Sequence, residues 1–281
     1  MELQQSPLYR KYIQSLGWQV TSLGQCAVFV KKIPFLGTLA KLQRISSLPP
    51  LPSLLAVIKK YTIKTLAIEP SERVSQQIFT PWIKSLSGYV KINTTPYLAT
   101  KTIRADLAPP VDTIFGHFSE AKRRAVRRAE KNGVLIRESH AIYDLIAVKN
   151  TSAGFLGFIT THGTRELWDT FSPDHASILL AYKTVPASAS HNPIGGILLI
   201  FHKQTAYYWI AGATHEGKKL SAPTLLVFEA MKLSKTKRMK WFDFIGVWDE
   251  RIPKENTQWK GFTKFKEGFG GKELYYPVSK L

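Results

Sequence analysis

Three apolar, strand-like runs, a helical stretch and one more buried strand follow one another between residues 176 and 247. No other feature limits the fold as much. The runs are Ala176 to Tyr182, Pro193 to His202 and Ala206 to Ala211. Lys203-Gln204-Thr205 turns the second into the third as a hairpin. Leu220 to Ser234, rich in Leu, Phe and Met, predicts a helix, and Trp241 to Val247 a buried strand. Strand pairs followed by a helix and a further strand build a mixed α/β sheet with helices against it.

The stretch before it fits the same class. Lys101 to Leu107 alternates and predicts a strand. Asp112 is placed as the N-cap of one helix running to Lys131, with Asn132-Gly133 as its stop. Ile114, Phe118, Ala121, Ala125 and Ala129 form its apolar face. Val134 to Glu138 predicts a strand and Tyr143 to Thr161 a helix, interrupted by Gly154 and Gly157. The first region is smaller and more broken. It reads as a helix over 8–17, a hairpin of Trp18 to Val20 and Gln25 to Lys32, and a Pro/Ser loop over 46–53. A helix over 54–61, a strand over 62–68, a helix over 71–84 limited by Pro81 and a weak strand over 89–92 follow.

Charge narrows the partners. The chain of 281 residues has 39 basic and 20 acidic residues, a formal net charge of +19. Such an excess points to a polyanion: nucleic acid, an anionic membrane face or a pyrophosphate-bearing substrate. The single cysteine, Cys26, forms no internal disulfide and sits in an apolar run, as a small buried hydrophobe would. A reducing cytoplasm is the compartment expected. Met1 to Gln5 has no basic segment leading into an apolar core, so no secretory leader is expected. No apolar run reaches the ~18–20 residues of a membrane span, which leaves peripheral attachment open.

Three segments carry candidate chemistry. In Lys122-Arg123-Arg124-Ala125-Val126-Arg127-Arg128-Ala129-Glu130-Lys131-Asn132-Gly133-Val134, guanidinium groups surround a face of alanines. Such a helix binds phosphates bidentately, or is a solvated basic face. In Trp241-Phe242-Asp243-Phe244-Ile245-Gly246-Val247-Trp248, Asp243 stands among aromatics at a strand end. It either orients an attacking amine or bonds backbone N–H groups in the following turn. In Gly261-Phe262-Thr263-Lys264-Phe265-Lys266-Glu267-Gly268-Phe269-Gly270-Gly271, a Phe-Lys pair enters a glycine-rich turn. Lys266 is there either a site cation or a surface lysine.

Together these segments resemble the Fem family of peptidoglycan interpeptide-bridge aminoacyltransferases, the lipid II:glycine glycyltransferase-like enzymes. The basic helix looks like the family's Lys-x-Arg-x-x-(Ile/Val)-Arg-x-Ala-Glu-Lys-x-Gly-Val segment. The strand end looks like its (Tyr/Phe)-Asp-(Phe/Leu)-x-Gly pattern, and Phe265-Lys266 like its Phe-Lys motif. The resemblance implies a GNAT-like α/β (α+β) fold, a mixed sheet flanked by helices, in two units. The first, over 1–98, is reduced and completed by 272–281; the second covers 99–271.

The same resemblance implies transfer of an amino acid from aminoacyl-tRNA to the side-chain amine of a precursor, UDP-MurNAc-pentapeptide or lipid II, without cofactor or metal. Lys266 would stabilise the oxyanion, with Asp243 as the second catalytic residue. Phe265 would stack on the terminal adenine, and Arg123, Arg124, Arg127 and Arg128 would meet phosphates. Lys11, Arg165 with Trp168, Tyr208 and Trp248 are the candidates for holding the substrates. It also implies a cytoplasmic protein, peripheral to the inner membrane face where the acceptor is lipid-linked.

Other chemistry finds little support. The seven histidines show no HExxH spacing, and there is no P-loop and no Gly-x-Ser-x-Gly elbow. The (Arg/Gln)-x-x-Gly-x-(Gly/Ala) loop of acetyl-CoA enzymes is replaced by Thr214-His215-Glu216-Gly217-Lys218-Lys219 ahead of Leu220. Two alternatives stay open: an N-acyltransferase using a thioester donor, and a non-catalytic RNA- or membrane-surface-binding protein.

Overall fold

The computed structural model describes residues 1–153, 161–184 and 192–279. The chain divides into two compact units. One takes residues 1–102, 248–257 and 274–281, the other residues 103–247 and 258–273.

The first unit is built on a five-stranded sheet ordered β1-β2-β3-β4-β5. Its strands are β1 (Gln19–Leu23), β2 (Cys26–Ile33), β3 (Gly37–Ile45), β4 (Ile63–Pro70) and β5 (Lys91–Ile92). β1, β2 and β3 pair antiparallel, while β4 lies parallel to β3 and β5 parallel to β4. α1 (Pro7–Ser15), α2 (Leu51–Lys60) and α3 (Gln76–Leu86) complete it. Cys26 is buried, and Val28, Leu42, Leu54, Leu66, Phe79 and Ile83 fill the core. β3 went unread in the sequence. Pro81 lies inside α3 without ending it. The Gln76 side chain exchanges two hydrogen bonds with the Val278 backbone, at 2.9 and 2.8 Å.

The second unit carries most of a seven-stranded sheet ordered β12-β6-β11-β10-β9-β8-β7. These are β6 (Lys101–Asp106), β7 (Val134–Ser139), β8 (Ala176–Lys183), β9 (Gly195–His202), β10 (Thr205–Ala213), β11 (Trp241–Asp243) and β12 (Lys272–Tyr275). β7 to β10 pair antiparallel in succession, and β11 runs parallel to β10 and antiparallel to β6. The helices are α4 (Val111–Gly116), α5 (Glu120–Lys131), α6 (Ile142–Ala153), α7 (Thr164–Phe171), α8 (His215–Lys219), α9 (Ala222–Thr236) and α10 (Lys260–Glu267). The expected class, a mixed sheet with flanking helices, is the one observed.

Several boundaries differ, each for a physical reason. The single helix expected over 112–131 is two. Ser119 breaks it by capping α5, its hydroxyl accepting the Lys122 N–H, while its own N–H goes to the Gly268 carbonyl. Ala121 and Ala125 are therefore not core residues; the buried residues of α5 are Val126 and Ala129. The helix expected over 143–161 corresponds to α6 over Ile142–Ala153; residues 154–160, with Gly154 and Gly157, lie outside the described residues. The strand from Trp241 stops at Asp243, because Ile245 (φ 42°) and Gly246 (φ 76°) leave the extended region. The segment read as a glycine-rich turn holds the helix α10. Its glycines serve close approach: a Cβ at Gly271 (φ +112°) would sit 2.9 Å from the Arg104 carbonyl oxygen.

Candidate functional site

β10 and β11 pair only as far as Tyr207 and Asp243, yet β10 runs on to Ala213. Beyond that point β10 has lost its parallel neighbour, and the second unit holds a cleft of about 700 Å³ there. Tyr208 and Ala211 to Ala213 of β10 form one wall, with Gly196 and Ile197 of β9. Lys122, Ala125 and Arg128 of α5 line it together with Gly261, Phe262 and Phe265 of α10. Lys218, Ser221 and the first turn of α9 close the rim. Ala121 and Ala125 thus border open space, while Ala129 fills the core.

Phe265 is held from behind by an aromatic cluster. Its ring meets Phe269 edge-on at 5.0 Å between centroids; Phe269 meets Phe118 at 5.1 Å and Phe244 at 5.6 Å. Such pairs contribute about 0.5–1.5 kcal/mol each beyond burial, so this ring is presented by a stiff base. The Lys122 ammonium lies 3.6 Å from the Phe265 centroid. Burial pushes Lys122 down to about 8. Gly268 makes room for it, since a Cβ there would lie 2.8 Å from Lys122 Cε.

Lys266 sits beneath the cleft and is only 7% exposed. Its ammonium donates to the carbonyls of Phe244 (2.8 Å), Ile245 (3.0 Å) and Gly246 (2.7 Å). Those three bonds use all three of its N–H groups. Contact with an oxyanion would need one of them to break. Burial pushes Lys266 down to about 7, with Asp243 opposing and Lys149 adding to the fall. Asp243 is 1% exposed and does not line the cleft. Its Oδ2 accepts from Arg104 Nε and Nη2, at 3.2 and 3.1 Å, and its Oδ1 accepts the Ile245 N–H at 2.9 Å. This carboxylate shapes the turn, which is the structural alternative weighed for it from sequence.

Of the four arginines of α5, Arg128 alone lines the cleft; its Nε and Nη2 donate to Ser221 Oγ at 3.1 and 2.6 Å. Arg123 donates to the Gly116 and Phe118 carbonyls, Arg124 pairs with Glu120, and Arg127 lies over the Phe115 ring. A single guanidinium face is not formed. Tyr208 is in the cleft wall, packed on Phe242 and Phe244. Trp168 is instead a buried core residue beside His140, and Arg165 is exposed and paired with Asp169 at 3.5 Å. Trp248 is half-buried and does not line the cleft.

Lys11 is exposed on α1, while the Tyr9 and Tyr12 rings near it in sequence are buried. The first unit holds a different cation among rings. The Lys41 ammonium lies 3.8 Å from the Tyr97 centroid and 4.6 Å from that of Trp18. Lys122, Lys218 and Phe262 line the cleft and are not among the site residues expected from sequence. Phe262 had a signal, three residues before Phe265 on what proves to be a helix.

Residues 165–276 match the FemAB family. That stretch contains β8 to β11, α9 and α10, and so most of the cleft wall. The Fem resemblance read from the motifs is borne out over it. Among solved structures, FemX is similar over 98% of this chain and 90% of its own, at 14% identity and a TM-score of 0.75. The C-terminal DUF2156 domain from Agrobacterium fabrum, named for a lysylphosphatidylglycerol synthetase, is similar over 99% and 89%, at 11% identity and a TM-score of 0.58. L-PGS from Bacillus licheniformis is similar over 94% and 84%, at 12% identity and 0.57. At these identities the likeness is one of fold. A comparison with curated proteins gave no match.

Proposed function

We propose that the cleft transfers an amino acid from aminoacyl-tRNA to the side-chain amine of a peptidoglycan precursor pentapeptide. The observation that carries this reading is the lining: Lys122, Arg128 and Lys218 with the rings of Tyr208, Phe262 and Phe265 around open space, the three rings and Lys218 within the FemAB-matched residues. Rings offer a stacking face to a terminal base, and cations at a helix N-terminal turn suit phosphates. In the step itself the amine attacks the ester carbon, so an N–C bond forms and the C–O bond to the ribose breaks. The amine's proton ends on the departing ribose oxygen, with water able to carry it. Charge on the carbonyl oxygen in between is stabilised by cations facing the cleft, Lys122 first. Lys266 acts as a positioning residue, holding the 244–246 turn beneath the reacting groups.

The donor is tested by competition. An aminoacylated RNA hairpin ending in CCA is expected to protect the second unit against thermal unfolding, and acetyl-CoA is not. Protection by acetyl-CoA alone would replace this reading by the thioester-dependent acyltransferase.

Lys122 gives a sharper check. Its charge is lost as pH rises through about 8, so the cleft has one cation fewer at pH 9 than at pH 7. RNA affinity should fall over that interval, and the slope of log K against log salt should shrink by about 0.7, one phosphate's worth for single strands. Lys122→Gln should remove the pH effect.

A further inference from the structure

The other ends of β9 and β10 border a second recess, of about 610 Å³. It lies roughly 15–20 Å along these strands from the cleft, at about 3.4 Å per residue. Asp174, His175, Lys203, Lys237, Arg238 and Met239 are among its lining. Gln204, in the β9–β10 turn, accepts the N–H groups of Lys240 and Trp241 at 2.8 and 3.0 Å, which brings those two residues to the same rim. Lys203, Arg238 and Lys240 are exposed, and so is Trp241, at 39%.

Four cations therefore crowd one end of the sheet, and none has a carboxylate within salt-bridge distance among the described residues. The acids nearby are Asp174, in the recess, and Asp106, opposite Trp241 in the β6–β11 register and bonded to the Ala108 N–H. The C-terminus of α9 accounts for a cation or two through its dipole. Lys235 serves that end structurally, donating to the Leu107 and Ala108 carbonyls. The dipole does not account for Lys203, which lies in a turn.

Two of the cations also stand where glycine would be free of strain. Arg238 (φ 60°) follows the C-cap of α9 in a Schellman turn, with Arg238 N–H on the Lys235 carbonyl and Met239 N–H on the Ser234 carbonyl. Lys203 (φ 53°) is the first residue of the two-residue β9–β10 turn.

We propose that this basic end, with Trp241 at its rim, docks on the surface of an anionic phospholipid bilayer. Clustered Lys and Arg are drawn to the negative surface potential, and Trp settles at the headgroup level. No helix among the described residues is long and apolar enough to cross a membrane; the contact proposed is peripheral. A single-stranded nucleic acid would call for several exposed rings stacked along a groove; here Trp241 is exposed at the rim while Phe201, in the recess, is buried. This contact does not depend on the cleft's chemistry.

The test is co-sedimentation with vesicles of phosphatidylcholine alone or with phosphatidylglycerol added. The wild type is expected to bind the second kind, and to release it as salt rises. The double variant K203G/R238G removes two charges while relieving two strained positions, so it should melt no lower than the wild type. Its affinity for the anionic vesicles should nevertheless fall at least about tenfold. K59Q/K60Q removes two charges from the exposed end of α2 and should leave that affinity near the wild-type value. Equal losses in the two variants would reduce the effect to net charge and overturn the proposal. So would absence of wild-type binding to the anionic vesicles, or loss of RNA binding with vesicle binding intact in K203G/R238G.

Discussion

Lys266→Met is expected to destabilise the second unit by about 3–4 kcal/mol and to abolish transfer. The methionine replaces the stem but strands the carbonyls of Phe244, Ile245 and Gly246, each of which now accepts from the ammonium. An orphaned buried acceptor costs about 1–3 kcal/mol, and the turn relaxes only in part because Asp243 still holds the Ile245 N–H. The melting temperature should drop by roughly 10 °C. Lys266→Arg should rescue little, since a planar fork does not replace a point donor ringed by three carbonyls.

The loss should also depend on pH. Lys266 titrates near 7 when folded, below its ordinary value of 10.5. Between those values the unfolded chain binds more protons than the folded one, so this group makes wild-type stability rise with pH across that window. Lys266→Met lacks the rise, and the stability gap between the two proteins should widen from pH 7 towards pH 10. Chemical denaturation at several pH values measures it, and a constant gap would contradict the assignment.

Gly217→Ala should cost about 3 kcal/mol and disable the cleft from its rim. A Cβ at Gly217 would fall 2.0 Å from the Ile194 carbonyl oxygen and 3.0 Å from its carbon, both backbone atoms that do not rotate away. That oxygen already accepts from the Thr214 N–H and hydroxyl, at 3.0 and 3.2 Å, which ties α8 to the start of β9. Relief of the clash moves α8 and with it Lys218 and Ser221, the partner of Arg128. RNA binding should weaken more than tenfold even at temperatures where the variant is folded. Gly261→Ala is the control: its Cβ would meet nothing within 4 Å, and its melting temperature should match or slightly exceed the wild type's. Equal melting temperatures for the two variants would contradict the packing described.

The parts legible in the sequence were those set by local pattern. The succession from Ala176 to Asp243 was read in the right order because alternation and helical spacing are local signals. The class of the sheet followed from that order. β3 escapes the pattern although its antiparallel partner β2 is next in sequence: it is buried on both faces, Leu39 beside Ala40 and Leu42 beside Gln43, so it shows no alternation. α10 was read as a turn because Gly261, Gly268, Gly270 and Gly271 crowd it. Its spacing of Phe262, Phe265, Lys266 and Phe269 was helical nonetheless.

The site was less legible than the fold. Phe265 and Arg128, from two of the motifs, line one cleft, together with Tyr208, a candidate from outside them. Lys266, expected at the oxyanion, donates to three carbonyls of the turn after β11, and Asp243, read equally as catalytic or structural, accepts from Arg104 and the Ile245 N–H; both are facts of tertiary placement. The α5 motif hid its division of labour in the same way. Its arginines look alike in sequence, yet Arg123 holds the end of α4 and only Arg128 faces the cleft.

The most direct measurement is transfer of labelled amino acids from a mixed aminoacyl-tRNA pool to a muramyl-pentapeptide, soluble or lipid-linked. The wild type should form the aminoacylated precursor. Phe265→Ala combined with Lys122→Ala, checked for folding, should do so at least about a hundredfold more slowly. No transfer to either acceptor by wild-type protein that binds the RNA would contradict the account and leave the cleft a binding site without this reaction.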